Sequence, residues 1–156
     1  MPPPPSDTAS GSAGGSASGP VGATPVEDAP LTDDGRSVYR LEYHFLMVTR
    51  RRRPFFADDA MRARAHALMT AIFEENGCRV EDLRIEPSTV RAHVFAPPYL
   101  SPHQLVAKLR SVAAPLRREF PSVGENGGLF VRRYIVSHVP APATACDAFL
   151  EGVPTR

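Results

Sequence analysis

The sequence of 156 residues lacks three features that define large classes of protein. It has no run close to the roughly 18 apolar residues of a membrane-spanning helix. Its N-terminus has no basic segment followed by an apolar one, as a secretory signal has. Its two cysteines, Cys78 and Cys146, are too few for a disulfide framework or a structural zinc site. We therefore expect a cytoplasmic protein with buried or idle thiols, long enough for one domain with a hydrophobic core.

Charge is distributed unevenly along the chain, although the net charge is only +1. Before residue 37 there is one basic residue against five acidic ones. The totals of 18 basic and 17 acidic residues therefore leave 17 and 12 for the remainder, a net charge of +5. Nearly all of this positive charge is arginine, which favours phosphate-bearing partners. A GC-rich coding bias also produces surface arginine, so charge alone does not decide the function.

Residues 1–37 differ in composition from the rest of the chain. They consist largely of Pro, Ser, Gly, Ala and Thr, with almost no large apolar side chain. Such a segment cannot bury enough surface to offset its conformational entropy, so we predict a disordered tail over 1–37 and a folded domain over 38–156. The tail is either a functionless extension or an extended segment that recruits a partner.

Hydrophobic periodicity and capping residues predict alternating strands and helices after residue 38. Asn76-Gly77 is typical of a helix C-terminus, Pro115 is expected to break a helix, and the spacing from Val80 to Leu83 indicates a bulge. The predicted strands are 38–49, 78–87, 86–98 and 129–139, and the predicted helices are 58–75, 101–121 and 144–152.

The strand at 86–98, EPSTVRAHVFAPP, presents polar side chains on one face. Because strand side chains alternate, Thr89, Arg91 and His93 share that face. Residues two apart on a strand lie about 6.5 Å from each other, so two such side chains can hold one ion or one phosphate.

Three blocks of the chain resemble the single-tyrosine HUH transposases, insertion-sequence enzymes that cut and rejoin single-stranded DNA and include the REP-associated tyrosine transposases. YHFLMVTRRRRPFF at 43–56 is similar to the family's YHLVFVTKYRRxVF. EPSTVRAHVFAPP is similar to EPDHVHLLV-x-x-PP, and SPHQLVAKLR…REFP at 101–121 is similar to SPSQLVxxLK…KEFP. The resemblance spans about Tyr39 to Glu151.

The resemblance implies an α+β, ferredoxin-like HUH fold, in which an antiparallel sheet of four or five strands carries its helices on one face. It also implies a homodimer that takes part in DNA transposition. In the family, two histidines hold a divalent metal such as Mg²⁺, and a tyrosine on the last helix attacks the scissile phosphate.

The resemblance also indicates a degenerate active site, because the family's catalytic positions are substituted in this chain. Thr89 and Arg91 stand at the two histidine positions, and Phe149 stands at the tyrosine, or Leu150 if no residue is deleted upstream. Arginine stays protonated and cannot bind a metal, and neither Phe149 nor Leu150 can attack phosphorus. We therefore expect no metal cofactor, no catalytic residue at these positions and no strand cleavage.

We expect the chain still to bind hairpin or single-stranded DNA through basic side chains. Arg91 is a candidate because its guanidinium can replace the charge of the metal beside a phosphate; the alternatives are that it faces solvent or pairs with Glu86. The other candidates can also be solvated surface residues, and they are Arg50, Arg51, Arg52, Arg53, Lys108 and Arg110.

Two other functions stay open. One is an active transposase with relocated ligands, such as His93 with His44 or His138, although no tyrosine has an activating group nearby in sequence. The other is a ferredoxin-like RNA-binding or interaction module.

Overall fold

A computed structural model describes residues 30–124 and 128–156. Residues 1–29 lie outside the described residues, so the predicted disordered tail stays a prediction. The described part of the chain begins with a small hairpin, in which β1 (Thr32–Asp33) pairs with β2 (Val38–Tyr39).

The centre of the fold is a four-stranded antiparallel sheet. Its strands are β3 (Glu42–Val48), β4 (Arg79–Ile85), β5 (Thr89–Phe95) and β6 (Ile135–Ser137), in the order β4-β5-β3-β6. Together with the helices below, this confirms the predicted α+β fold with an antiparallel sheet.

The main core lies on one face of this sheet. It is covered by α1 (Asp59–Glu75), α2 (Pro102–Arg110) and α3 (Ala113–Glu119). Strand residues with alternating spacing point into this core, as the period of a strand requires. Apart from Val48, which belongs to a second cluster, the largest fully buried side chains lie in this core, and they are Phe56, Phe73, Met47, Met61, Met69, Leu105, Leu109, Leu116, Leu129, Val90 and Val94.

The last helix, α4 (Ala143–Glu151), is the exception to the expected placement of helices on one face. Leu46 and Val48 alternate with the core-facing residues of β3, and they pack with Cys146 of α4 in a second apolar cluster. α4 therefore covers the face of the sheet that carries Thr89 and Arg91, since Val48 and Leu46 pair with these two residues.

Local signals place the helix boundaries where the sequence predicts them. The Asp58 side chain accepts from the backbone N–H of Met61, and Gly77 follows α1 with a φ of +73°. The predicted break near Pro115 is confirmed, because α2 ends at Arg110 and α3 begins at Ala113. Proline has no N–H to donate to the carbonyl four residues earlier, so the two helices cannot join smoothly. The predicted bulge is confirmed by a register shift between Val80 and Asp82.

The last strand is much shorter than predicted. Residues 129–139 were expected to form it, but β6 is confined to Ile135–Ser137, and Phe130 makes only an isolated bridge with Thr49. Between the bridge and β6, the Arg110 guanidinium donates to the carbonyls of Val131 and Arg132.

The structure bears on two expectations from the sequence, which concern membrane-spanning segments and the two cysteines. No helix in residues 30–124 and 128–156 is long and apolar enough to cross a bilayer. Cys78 and Cys146 are free and buried, as expected, and burial raises the pKa of the Cys78 thiol to about 11. Cys78 is therefore a core side chain with little thiolate at neutral pH.

Candidate nucleic-acid interface

Thr89 and Arg91, which the sequence resemblance aligns with the family's histidines, carry side chains that do not fit a divalent cation. Thr89 is buried, and its hydroxyl donates to Glu86 Oε2 at 2.8 Å. The Arg91 guanidinium lies 3.9 Å from the same Glu86 oxygen and 3.7 Å from the sulfur of Cys146. Arg91 therefore brings a permanent positive charge to this face of the sheet and offers no lone pair to a metal.

Phe149 and Leu150, the two α4 residues that the sequence resemblance offers for the family's tyrosine, are both apolar. Phe149 and Leu150 pack in the second apolar cluster, and the guanidinium of Arg133 lies 5.5 Å from the Phe149 ring. Cys146 is the α4 residue that contacts Arg91. Neither candidate position therefore brings a hydroxyl to this face of the sheet.

A small cleft opens between α4 and the strands, with a volume of about 150 Å³. Its polar lining comes from His44, Asp82, Arg91 and His93, and Cys146 lies on its α4 side. Among residues 30–124 and 128–156, no tyrosine lines this cleft. The cleft can therefore hold an anion or a metal ion, but none of the described residues brings a tyrosine hydroxyl to it that could attack a phosphate.

Two histidines and a glutamate meet at the edge of this cleft. Glu42 Oε1 lies 2.6 Å from His93 Nε2 and 3.1 Å from His44 Nε2. The imidazole rings stack with centroids 4.1 Å apart. Burial lowers the pKa of His44, the nearby charges of His93 and His138 lower it further, and the contact with Glu42 acts in the opposite direction. His44 is therefore held in its neutral form.

The sequence suggested the pairing of His44 with His93 but not the part played by Glu42. The sheet register brings these two histidines together, because His44 on β3 lies opposite His93 on β5. The available signal for Glu42 was its position two residues before His44, on the same face of one strand.

A second, larger cleft is strongly basic. Its volume is about 630 Å³, and four arginines line it: Arg50, Arg51, Arg132 and Arg156. The remaining lining residues are Gly128, Phe130, Val131 and Pro154, so none of the described residues brings an acidic side chain to it. Within the described part of the chain, the lining of this cleft therefore carries positive charge only.

Backbone pairing fixes the walls of this basic cleft. The N–H of Arg50 donates to Leu129 at 2.9 Å, and the N–H of Val131 donates to Val48 at 2.9 Å. Arg51 and Arg52 adopt positive φ values of 58° and 52°, a conformation that side-chain-bearing residues rarely adopt. Such a backbone persists only where the surroundings hold it, and strained segments of this kind cluster at binding sites.

The predicted DNA-binding residues fall into separate places. Arg50 and Arg51 join in the basic cleft, while Arg91 lies in the smaller one. Lys108 is exposed in the last turn of α2. Arg110 is half-buried and holds the backbone at Arg132, so it supports one wall of the basic cleft.

Arg52 and Arg53 are exposed beside the basic cleft but do not line it. Arg132 and Arg156 were not predicted. Their separation of 24 residues in the sequence gives no signal that they share a surface.

Comparison with known structures supports the fold. The crystal structure of a protein from Deinococcus radiodurans R1, described as a transposase, matches with a TM-score of 0.69 at 22% identity, covering 80% of this chain and 100% of that one. A REP-associated tyrosine transposase bound to a REP hairpin matches with a TM-score of 0.50 at 7% identity, covering 78% of this chain and 68% of that one. Comparison with curated proteins gave no match. The family of IS200-like transposases matches residues 37–145, which is more than half of the sequence, and the chain therefore belongs to that family.

Proposed function

We propose that this member of the IS200-like transposases binds hairpin or single-stranded DNA and does not cut it. The proposal includes a cytoplasmic location and a homodimeric state. The observation that carries it is the basic cleft, which four arginines line and to which no acidic side chain of residues 30–124 and 128–156 contributes.

The chemistry of the basic cleft suits a nucleic-acid backbone. Phosphates supply most of the affinity of such complexes, and arginine presents a planar fork that matches two phosphate oxygens. Arg50 and Arg51 emerge from a backbone that is paired to residues 129–131, so their positions are fixed before binding. The structural neighbour bound to a REP hairpin has the same general fold, which favours DNA as the partner.

Arg91 provides a second possible phosphate contact on the α4 side of the sheet. Its side chain is 37% exposed and lines the smaller cleft. Glu86 lies 3.9 Å away, too far for a tight ion pair, and is 43% exposed itself. The guanidinium therefore keeps donors available for an incoming phosphate.

The open edges of the sheet support a homodimer. β4 and β6 are the outer strands, and each has one side without a partner strand within residues 30–124 and 128–156. Val136 and Val139 at the β6 edge are 37% and 38% exposed. An open strand edge with apolar side chains is a surface on which a second sheet can pair.

We expect no covalent product when the protein is incubated with labelled hairpin oligonucleotides and Mg²⁺ or Mn²⁺. Thr89, Arg91 and Phe149 supply neither a metal ligand nor a nucleophile at the family's catalytic positions. The measurement is denaturing gel electrophoresis, with the label on either side of each candidate cleavage site. A protein–DNA adduct that survives denaturation would favour the active-transposase alternative instead.

Replacing Arg91 with alanine is expected to weaken hairpin binding several-fold and to reduce the slope of log K against log salt. The loss of one phosphate contact changes that slope by about 0.7 to 0.9. Fluorescence anisotropy across a salt titration measures both quantities. Arg36→Ala is the matched control, since Arg36 is exposed in the turn between β1 and β2. Unchanged affinity at every salt concentration would remove Arg91 from the interface.

A competition experiment between DNA and RNA tests the RNA-binding alternative. We expect a hairpin DNA to displace the labelled probe at lower concentration than an RNA of the same sequence. Equal or better competition by RNA would instead favour an RNA-binding module.

A further inference from the structure

We propose that Glu42, His44 and His93 form a binding site for a divalent transition-metal ion such as Zn²⁺. This site differs from the one that the family's histidine positions imply, because those positions hold Thr89 and Arg91. It also does not depend on DNA binding, since all three side chains belong to one folded sheet.

The three candidate ligand atoms already converge. One nitrogen from each imidazole and one oxygen of Glu42 all lie within 4.8 Å of one another. Metal–ligand bonds of about 2.0 to 2.2 Å place the ligand atoms of one zinc ion about 3 to 3.5 Å apart. The distances from Glu42 Oε1 to the two Nε2 atoms are 2.6 and 3.1 Å, so a small opening of the cluster admits the ion.

The sheet holds these ligands on rigid backbone. His44 and His93 lie opposite each other on the adjacent strands β3 and β5, and Glu42 is two residues before His44 on the same face. The side chains of Glu42, His44 and His93 are 10%, 17% and 29% exposed. A site on paired strands loses little conformational entropy when it binds, and the more exposed His93 provides access from the cleft.

The chemistry of the ligands selects the class of metal. Neutral imidazole nitrogens and one carboxylate suit Zn²⁺ and similar ions, whereas Mg²⁺ and Ca²⁺ prefer oxygen ligands. The two imidazole rings stack with their centroids 4.1 Å apart, and one nitrogen of each lies near Glu42 Oε1. A metal ion placed between the two imidazoles and Glu42 would be bound by all three side chains.

The neighbouring groups leave room for further ligands. His44 and His93 line the small cleft of about 150 Å³, and Asp82 lines it as well, opposite His93 on β4. Three protein ligands leave at least one position of a tetrahedral zinc ion open toward this cleft. Water or an anion can fill that position, with Arg91 on the same wall.

The test is isothermal titration calorimetry of the full chain, without an affinity tag, with ZnCl₂ and without DNA. The wild type is expected to bind one zinc ion per chain. Glu42→Gln and His93→Ala should each lower the affinity at least about 100-fold, because each removes a direct ligand. The visible absorption of bound Co²⁺ should show the same loss.

The matched control is His66→Ala, since His66 is exposed on α1 and is not part of the cluster. It should bind zinc like the wild type. Circular dichroism establishes that each variant is folded, and Glu42→Gln keeps the side-chain shape should His93→Ala unfold. If the folded wild type does not bind one zinc ion per chain, or if the Glu42→Gln variant binds zinc with equal affinity, the zinc proposal is wrong. Glu42 would then only form hydrogen bonds to the two imidazoles. Arg51 variants should still bind zinc, because Arg51 is not part of the cluster. Failure of the DNA-binding proposal can therefore be distinguished from failure of the zinc proposal.

Discussion

Reversing two charges in the basic cleft, by Arg51→Glu together with Arg132→Glu, is expected to weaken hairpin DNA binding at least about 100-fold at about 0.1 M salt. Two attractive charges become repulsive, and each unit of charge beside a phosphate changes the binding free energy by about 1 kcal/mol. Four units together therefore exceed the roughly 2.7 kcal/mol that correspond to a 100-fold change. Anisotropy with a fixed hairpin measures the effect.

The control for this variant carries the same change in net charge at the other end of the sheet. Arg36→Glu with Arg79→Glu alters the region near the β1–β2 hairpin, where Arg79 shares a cavity with Thr32 and Tyr39. We expect this double variant to lose only a few-fold in affinity, through long-range electrostatics. Equal losses in both variants would mean that net charge, rather than the basic cleft, drives binding. An unaffected cleft variant would exclude the cleft as the interface.

Replacing Phe73 with alanine is expected to lower the free energy of unfolding by about 3 to 5 kcal/mol. Phe73 is fully buried near the end of α1, within the main core that joins this helix to the sheet. The substitution removes a large apolar side chain and leaves a cavity that rigid strands and helices cannot fill. Because a domain of this size has about 5 to 15 kcal/mol of stability, the variant should be close to its unfolding threshold.

Urea-induced unfolding followed by circular dichroism measures the effect of Phe73→Ala. Tyr99→Ala is the matched control, because it removes an aromatic ring that is 73% exposed. Its free energy of unfolding should change by less than about 0.5 kcal/mol. A loss below about 1 kcal/mol for Phe73→Ala would show that this part of the core is packed loosely.

Much of the fold follows from local signals in the sequence. The ends of α1 coincide with its predicted ends because Asp58 and Gly77 act on neighbouring backbone groups. The break between α2 and α3 follows from Pro115 for the same reason. The prediction of β6 was wrong in length. The carbonyls of Val131 and Arg132 accept from Arg110, more than 20 residues away in sequence, and no periodicity can indicate that contact.

The sequence by itself determined the side-chain chemistry at residues 89, 91, 149 and 150, because an arginine cannot bind a metal and neither phenylalanine nor leucine can act as a nucleophile, whatever their geometry. Only the tertiary structure decided which distant residues share a surface. It joins Arg132 and Arg156 to Arg50 and Arg51, and it places Glu42 between His44 and His93. The physical reason is that strand order and register set these contacts, and both depend on how the whole sheet packs rather than on any local pattern.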